Sequence, residues 1–100
     1  MSRRTSFRRA ARDDAHSARD WYEARRPGLG AAFVQRLDAC VAQIERNPEI
    51  GPVIDEDTRR AQLRRFPYVV YQEILENDDI LVLAVWHGRR DSEGWQGRGE

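Results

Sequence analysis

The stretch from Arg64 to Asp91 constrains the fold of this 100-residue chain more than any other part of the sequence. Residues 68–76 are rich in β-branched and aromatic side chains, residues 77–79 read Asn-Asp-Asp, and residues 80–86 form an unbroken apolar run. Strand-forming residues on both sides of a turn sequence predict a β-hairpin. The apolar run of residues 80–86 is too short for an ordinary helix and too apolar for a strand with one solvated face. We therefore expect it to form a central strand covered on both sides.

Two helices are predicted before this hairpin. Apolar residues recur at helical spacing over residues 9–24 and, more strongly, over residues 29–46. Pro27 and Gly28 separate the two segments, because proline cannot continue a helical hydrogen-bond ladder and glycine permits the reversal. Asn47-Pro48 ends the second segment. The two segments therefore form a helical hairpin.

The remaining elements complete a small α+β domain. Residues 2–7 are interpreted as a short first strand, residues 49–58 as an exposed connection, and residues 60–66 as the strand before the hairpin. The order is then β-α-α-β-β-β, in which the helical hairpin packs on one face of a small, mainly antiparallel sheet. A chain of 100 residues supports one domain, spanning residues 1–100.

One helical hairpin covers only one face of the sheet. Residues 92–100 are rich in glycine and contain Trp95 as their single large anchor, so we expect this segment to be a flexible tail. The second apolar face of the sheet would then be left for a partner, as large exposed apolar patches usually are.

Composition excludes several classes of function. No apolar stretch approaches the roughly 18 residues of a membrane span, and the first residues lack the apolar core of a secretory signal, so a cytoplasmic location is expected. The single cysteine, Cys40, lies on the apolar stripe of the second helix and is interpreted as a core residue. The seventeen basic residues are all arginines, so mechanisms that need a lysine are excluded.

The arginines are unevenly distributed although the net charge is zero. Five of them lie in the first twelve residues, where there is no acidic residue, and four more lie in residues 59–65. Such blocks can neutralise phosphates. However, the zero net charge and the lack of a recognisable reading helix favour a solvated face or an acidic protein partner. No sequence-specific DNA binding is expected.

The hairpin ends carry the residues with the clearest chemical potential. His87 lies at one end with Tyr68 near it, and arginines flank both. Imidazole or phenol groups can move protons while guanidinium groups balance charge on a phosphorane, so metal-free cleavage of a phosphodiester is chemically possible. The two histidines and Cys40 are too far apart in the sequence to suggest a metal site. Neither a metal nor a cofactor is expected.

A set of short motifs covers nearly the whole chain. The motifs are Phe7 with Ala10-Ala11 and Asp14, Asp20-Trp21-Tyr22-Glu23, Arg26-Pro27-Gly28-Leu29-Gly30 with Phe33, Asn47-Pro48-Glu49 with Gly51-Pro52, Arg64-Arg65-Phe66-Pro67-Tyr68 with Tyr71, and His87-Gly88-Arg89-Arg90-Asp91. In this order they resemble the RelE/ParE superfamily of type II toxin-antitoxin toxins, and within it the ParE-like plasmid-stabilisation branch. The fold of that family is the one predicted above.

The resemblance implies a small bacterial toxin that a cognate antitoxin holds inactive. ParE-like members poison DNA gyrase, a binding event that needs no catalytic group, whereas RelE-like members cleave messenger RNA in the ribosome with Arg, Lys, Tyr or His side chains. Lysine is absent and the Trp21 to Gly30 stretch resembles the ParE-like branch, so gyrase is the preferred target and no catalytic residue is expected.

Two alternatives remain open. The first is a ribosome-dependent ribonuclease of RelE type, and the second is a non-toxic relic that only binds an antitoxin. The candidate catalytic residues of the ribonuclease are His87, Arg65, Tyr68, Arg89 and Arg90.

The family pattern is not matched everywhere. Arg4, Thr5 and Ser6 fill a first strand that normally alternates apolar residues, Arg9 stands where a proline is common, and Ala15 replaces a large aliphatic residue. These departures weaken the edge strand and the packing of the first helix.

The expected partner is an antitoxin, typically a ribbon-helix-helix protein of the ParD type, in a toxin–antitoxin hetero-oligomer. We expect it to lie along the helical hairpin and the sheet edge, with apolar contacts at helical spacing and arginines at the rim. The predicted apolar contacts are Trp21, Tyr22, Phe33 and Leu37, and the predicted rim contacts are Arg3, Arg4, Arg8 and Arg9.

Overall fold

A helical hairpin lies on one face of a five-stranded sheet in the computed structural model, which describes residues 3–90 and 94–98. The elements are β1 (Thr5–Phe7), α1 (Arg9–Arg25), α2 (Leu29–Arg46), β2 (Val53–Asp55), β3 (Thr58–Gln62), β4 (Tyr68–Ile74) and β5 (Ile80–His87). The sheet order is β1-β5-β4-β3-β2, with β1 parallel to β5 and the other pairs antiparallel. The predicted fold class is confirmed.

The main difference from the sequence prediction lies before the β4–β5 hairpin. The connection predicted over residues 49–58 contains an additional strand, β2, whose three residues are all exposed. The strand predicted over residues 60–66 is instead β3, which ends at Gln62. It ends there because residues 63–67 form a turn in which Arg65 adopts a left-handed conformation with φ 72°. The turn is closed by the Leu63 N–H, which donates to the Tyr68 carbonyl at 2.9 Å.

The main core lies between the hairpin and the sheet. It is built from the inner stripes of both helices and from strand residues. Its fully buried members are Ala11, Phe33, Ile44, Val70, Ile80, Val82 and Val85. Cys40 is buried in the same core, as predicted, and burial raises the pKa of its thiol to about 11. The thiol is therefore protonated at neutral pH, as expected of a packing residue.

The helical hairpin is fixed by a carboxylate that crosses from one helix to the next. Glu23 of α1 accepts hydrogen bonds from the N–H of Gly28, at 3.0 and 3.1 Å, and from the N–H of Gly30 at 3.0 Å. These N–H groups are at the beginning of α2 and have no partner inside that helix. Gly30 permits the approach, because a Cβ there would lie 2.8 Å from the Arg19 carbonyl oxygen.

Replacement of Glu23 by alanine is expected to lower the free energy of unfolding by about 1–2 kcal/mol. The variant loses the cap of α2 and the favourable charge at its N-terminus. Urea denaturation followed by circular dichroism measures the change. Glu76→Ala is the matched control, since Glu76 is an exposed turn residue. Equal effects of the two substitutions would contradict the capping role.

The second face of the sheet is covered by the chain itself. Trp95 is 4% exposed and packs against Tyr71, with ring centroids 4.7 Å apart. Val69, Ala84 and Trp86 complete this second cluster. The expectation that this face is left open for a partner is therefore wrong for the central part of the face, which Trp95 covers. Within the predicted flexible tail Trp95 is buried and Arg98 contacts Asp14, whereas residues 92–93 and 99–100 lie outside the described residues.

Beyond the end of β1, side chains of Arg8 and Asp14 form hydrogen bonds with the backbone of β5. β1 pairs with Ile80, Leu81 and Val82 only, so the edge of β5 beyond Val82 needs other partners. Arg8 Nε donates to the Leu83 carbonyl at 2.8 Å, and the Val85 N–H donates to Asp14 at 3.0 Å. The beginning of α1 thus satisfies backbone groups that no strand reaches.

Candidate functional site

A groove lies between α1 and the ends of β4 and β5, and we call it the aromatic groove. It has a volume of about 670 Å³. Helical spacing brings the α1 residues to one side, and antiparallel pairing of Tyr68 with His87 brings the two hairpin ends to the other. The lining residues are Asp14, Ser17, Ala18, Trp21, Tyr22, Pro67, Tyr68, Val85, His87 and Arg90.

Four rings form a continuous series along this groove. Trp21 contacts Tyr22 edge to face with centroids 5.1 Å apart, Tyr22 lies 6.2 Å from Tyr68, and Tyr68 lies 5.2 Å from His87. Trp21 is 52% exposed, which is unusual for an indole and marks the outer end of the series. The inner rings are anchored, because Tyr22 and Tyr68 both contact the buried ring of Phe33.

The backbone fixes the orientation of His87. The Arg89 N–H donates to Nδ1 of His87 at 3.0 Å. In the neutral imidazole this leaves Nε2 as the N–H donor. The turn that holds Arg89 is closed by the Arg90 N–H, which donates to the His87 carbonyl at 3.0 Å, and the Gly88 N–H ties it to the Pro67 carbonyl at 2.7 Å.

The two tyrosines in the groove are hydrogen-bond donors rather than bases at neutral pH. Burial raises the pKa of Tyr22, and the neighbouring Tyr68 raises it further. Burial also raises the pKa of Tyr68, where the opposing effect of Arg90 and the reinforcing effect of Asp14 are smaller. Both phenols therefore keep their protons at neutral pH.

Asp14 brings a negative charge to the groove wall, but this charge is paired. Arg98 donates to both of its oxygens, at 2.7 and 2.9 Å, while the Val85 N–H donates to one of them. The guanidinium of Arg90 lies 3.6 Å above the ring of Trp86, in cation–π geometry. The arginine that lines the groove is thus stacked on an indole.

The structure divides the five candidate residues of the ribonuclease hypothesis. His87, Tyr68 and Arg90 line the aromatic groove. Arg65 and Arg89 are exposed and are not among the described residues that line it. The geometry therefore brings together three of the five residues.

The predicted antitoxin contacts also divide. Trp21 is exposed and Tyr22 is half-buried, but Phe33 and Leu37 are 0% and 5% exposed. These last two lie in the core together with Cys40 and present little surface to a partner.

The four rim arginines do not form a uniform surface either. Arg4 and Arg9 are exposed, whereas Arg3 is half-buried with an Nε that has no hydrogen-bond partner among the described residues. Arg8 donates to the carbonyls of Leu83 and Trp95 at 2.8 and 3.3 Å. Arg8 is therefore a structural residue that ties the sheet edge to the C-terminal segment.

Asp14 and its ion-pair partner Arg98 were not predicted to have a role at the groove. Asp14 lies on the same face of α1 as Ala18 and Trp21, and this i, i+4, i+7 spacing is the signal that identifies it. Arg98 carries no such signal, because its place depends on the fold of the C-terminal segment. Among the described residues no three His, Cys, Asp or Glu side chains are grouped to hold a metal.

Two solved structures with this fold come from toxin-antitoxin systems. A chain of the chromosomal ParDE system from P. aeruginosa aligns with a TM-score of 0.73 and 19% identity, over 85% of this chain and 95% of that chain. A chain of the RelBE2 toxin-antitoxin complex from Mycobacterium tuberculosis aligns with a TM-score of 0.59 and 22% identity, over 87% and 99%. At these identities the likeness defines the fold.

The family is defined by the sequence. Residues 6–92 match the model of the family described as the ParE toxin of the type II toxin-antitoxin system parDE. The chain belongs to this family, which confirms the resemblance to the ParE-like branch of the RelE/ParE superfamily. No curated protein is significantly similar to the chain. No helix in the described residues is long and apolar enough to cross a membrane.

Proposed function

We propose that this ParE toxin acts by binding and poisoning DNA gyrase, and that a ParD-like antitoxin neutralises it in the cytoplasm. The observation that carries the choice is the distribution of cations around the aromatic groove. Of the candidate catalytic arginines, Arg65 and Arg89 are outside the described lining, and Arg90 is stacked on Trp86. A phosphorane needs preorganised positive charge at the reacting atoms.

The two tyrosines and His87 of the groove also favour gyrase binding over RNA cleavage. A general base works best when its pKa lies near the operating pH, whereas the pKa values of Tyr22 and Tyr68 are raised by burial. The Arg89 N–H donates to Nδ1 of His87, so the neutral imidazole carries its own proton on Nε2 and has no free lone pair to accept another. The groove is better suited to holding a partner than to moving protons.

The aromatic groove has the properties of a protein-binding surface. Interfaces concentrate their binding energy in aromatic residues and arginines that become desolvated on binding. Trp21 supplies an exposed indole, and Arg25 lies over it at 4.1 Å. We assign the antitoxin contact to Trp21 and Tyr22, with Arg4 and Arg9 at the rim, because these residues keep accessible surface.

The target is tested with the purified chain, gyrase and supercoiled plasmid. We expect toxin-dependent linear DNA after the enzyme is denatured and digested, and no truncated messages in a translation reaction analysed by primer extension. His87→Ala should poison gyrase as well as the wild type does, because binding requires no proton transfer from this residue. Truncated messages without DNA breaks would contradict the proposal.

A ribonuclease is the second candidate, because Tyr68, His87 and Arg90 line one groove. In that case His87→Ala should slow message cleavage by about 10²–10⁴-fold. Arg89→Gln is the matched comparison, since Arg89 lies next to the site but outside its described lining. A cleaving enzyme would lose far more activity with the first substitution than with the second.

A further inference from the structure

A second groove lies between α2 and the end of β3 with its following turn, and three arginines line it. Arg36 and Arg46 come from one face of α2, and Arg64 comes from the turn after β3. We call it the arginine groove; its volume is about 280 Å³. Ten residues separate the two helical arginines, which places their backbones about 15 Å apart along the helix.

The three guanidinium groups are available for a ligand. None of them has an ion pair or a side-chain hydrogen bond in the part of the chain that the structure describes. The other described lining residues, Ala39, Cys40, Gln43 and Gln62, carry no negative charge at neutral pH. The groove therefore concentrates positive charge in a molecule whose net charge is zero.

The turn that holds Arg64 is built in advance of any binding. Nε2 of Gln62 lies 3.2 Å from the Phe66 carbonyl and 3.0 Å from the Tyr68 carbonyl. This amide fixes residues 63–67 against the beginning of β4. A preorganised turn reduces the entropy lost on binding.

We propose that the arginine groove binds the phosphate backbone of duplex DNA without reading its sequence. Guanidinium forks match phosphate geometry, and contacts to phosphates need no apolar pocket. A protein partner usually draws most of its binding energy from buried apolar anchors, whereas Ala39 and Cys40 are the only apolar residues of the described lining. A single strand would need aromatic rings for base stacking, and the described lining contains none.

Binding of duplex DNA by the arginine groove is separate from the poisoning of gyrase, and it is measured with DNA in the absence of gyrase. In the sequence, the zero net charge and the lack of a recognisable reading helix favoured a solvated face or an acidic protein partner for the arginine blocks. The fold changes that balance, since it brings arginines 10 and 28 positions apart in the chain into one groove that no described acid lines.

The test measures binding of the full chain to a labelled 20-base-pair duplex by fluorescence anisotropy between 25 and 200 mM KCl. Each phosphate contact contributes about 0.9 to the slope of log affinity against log salt. Three contacts predict a slope of about −2.7, and the combined variant Arg36→Gln, Arg46→Gln, Arg64→Gln should lose most of this slope. Arg64→Gln alone should reduce the slope by about 0.9, which keeps the test valid if the triple variant does not fold.

The matched control removes the same number of charges from α1 and the inter-helix turn. It is the combined variant Arg12→Gln, Arg19→Gln, Arg26→Gln, whose arginines are exposed. We expect it to bind the duplex with the wild-type slope. The proposal is overturned if the control loses as much as the groove variant, if the wild type does not bind the duplex, or if a polyglutamate peptide or single-stranded DNA binds more tightly. Gyrase poisoning is measured separately, so the two proposals fail independently.

Discussion

Replacement of Trp95 by alanine is expected to lower the free energy of unfolding by about 3–5 kcal/mol. The indole is 4% exposed and packs on Tyr71 across the sheet face that the helices do not cover. Its removal would expose the apolar cluster that also contains Val69 and Trp86. A domain of this size has a total stability of about 5–15 kcal/mol, so the loss would be a large part of it. Urea denaturation followed by tyrosine and tryptophan fluorescence measures the change.

Two further variants separate burial from chemistry. Trp21→Ala is the matched control, because the same substitution at a 52% exposed residue should cost about 1 kcal/mol or less. Trp95→Phe should retain most of the stability, since the buried Nε1 of Trp95 has no hydrogen-bond partner among the described residues. Similar losses for Trp95→Ala and Trp21→Ala would show that the C-terminal segment is not part of the core.

The fold was predictable where local pattern and tertiary packing agree. α2 begins and ends at the predicted residues, because its apolar stripe is strong and Gly28 and Asn47-Pro48 mark both ends. β5 was predicted from its apolar run, and its burial on both faces explains why that run has no polar alternation. The short strand β2 was missed, because its three exposed residues carry no alternation and lie among turn residues.

The candidate site was predictable only in part, because a sequence pattern gives spacing but not accessibility. Phe33 and Trp21 are both large and apolar in the predicted hairpin, yet one is in the core and the other in solvent. Trp95 was assigned to a flexible tail because glycines flank it in the sequence. Its burial depends on a long-range contact with Tyr71, and no local feature encodes that contact.

Replacement of Asp14 by alanine is expected to lower the free energy of unfolding by about 3 kcal/mol. The variant leaves the Val85 N–H without its acceptor and the Arg98 guanidinium without its carboxylate. Arg98→Ala should cost only about 1 kcal/mol, because the Arg98 side chain is 26% exposed and Asp14 would keep its bond from Val85. Thermal and urea denaturation of both variants measure this asymmetry.

The control and the double variant decide what the ion pair does. Asp13→Ala removes an exposed carboxylate one residue away and should change the stability by about 0.5 kcal/mol or less. In the double variant Asp14→Ala, Arg98→Ala the two losses should not add, because both substitutions remove one shared contact. If Arg98→Ala lowers the stability as much as Asp14→Ala does, the predicted asymmetry is wrong. The main role of Asp14 would then be to hold the C-terminal segment. The predicted asymmetry means that the main role of Asp14 is to accept a hydrogen bond from the edge of β5. Its ion pair with Arg98 is the smaller contribution, and it links the aromatic groove to the covered face of the sheet.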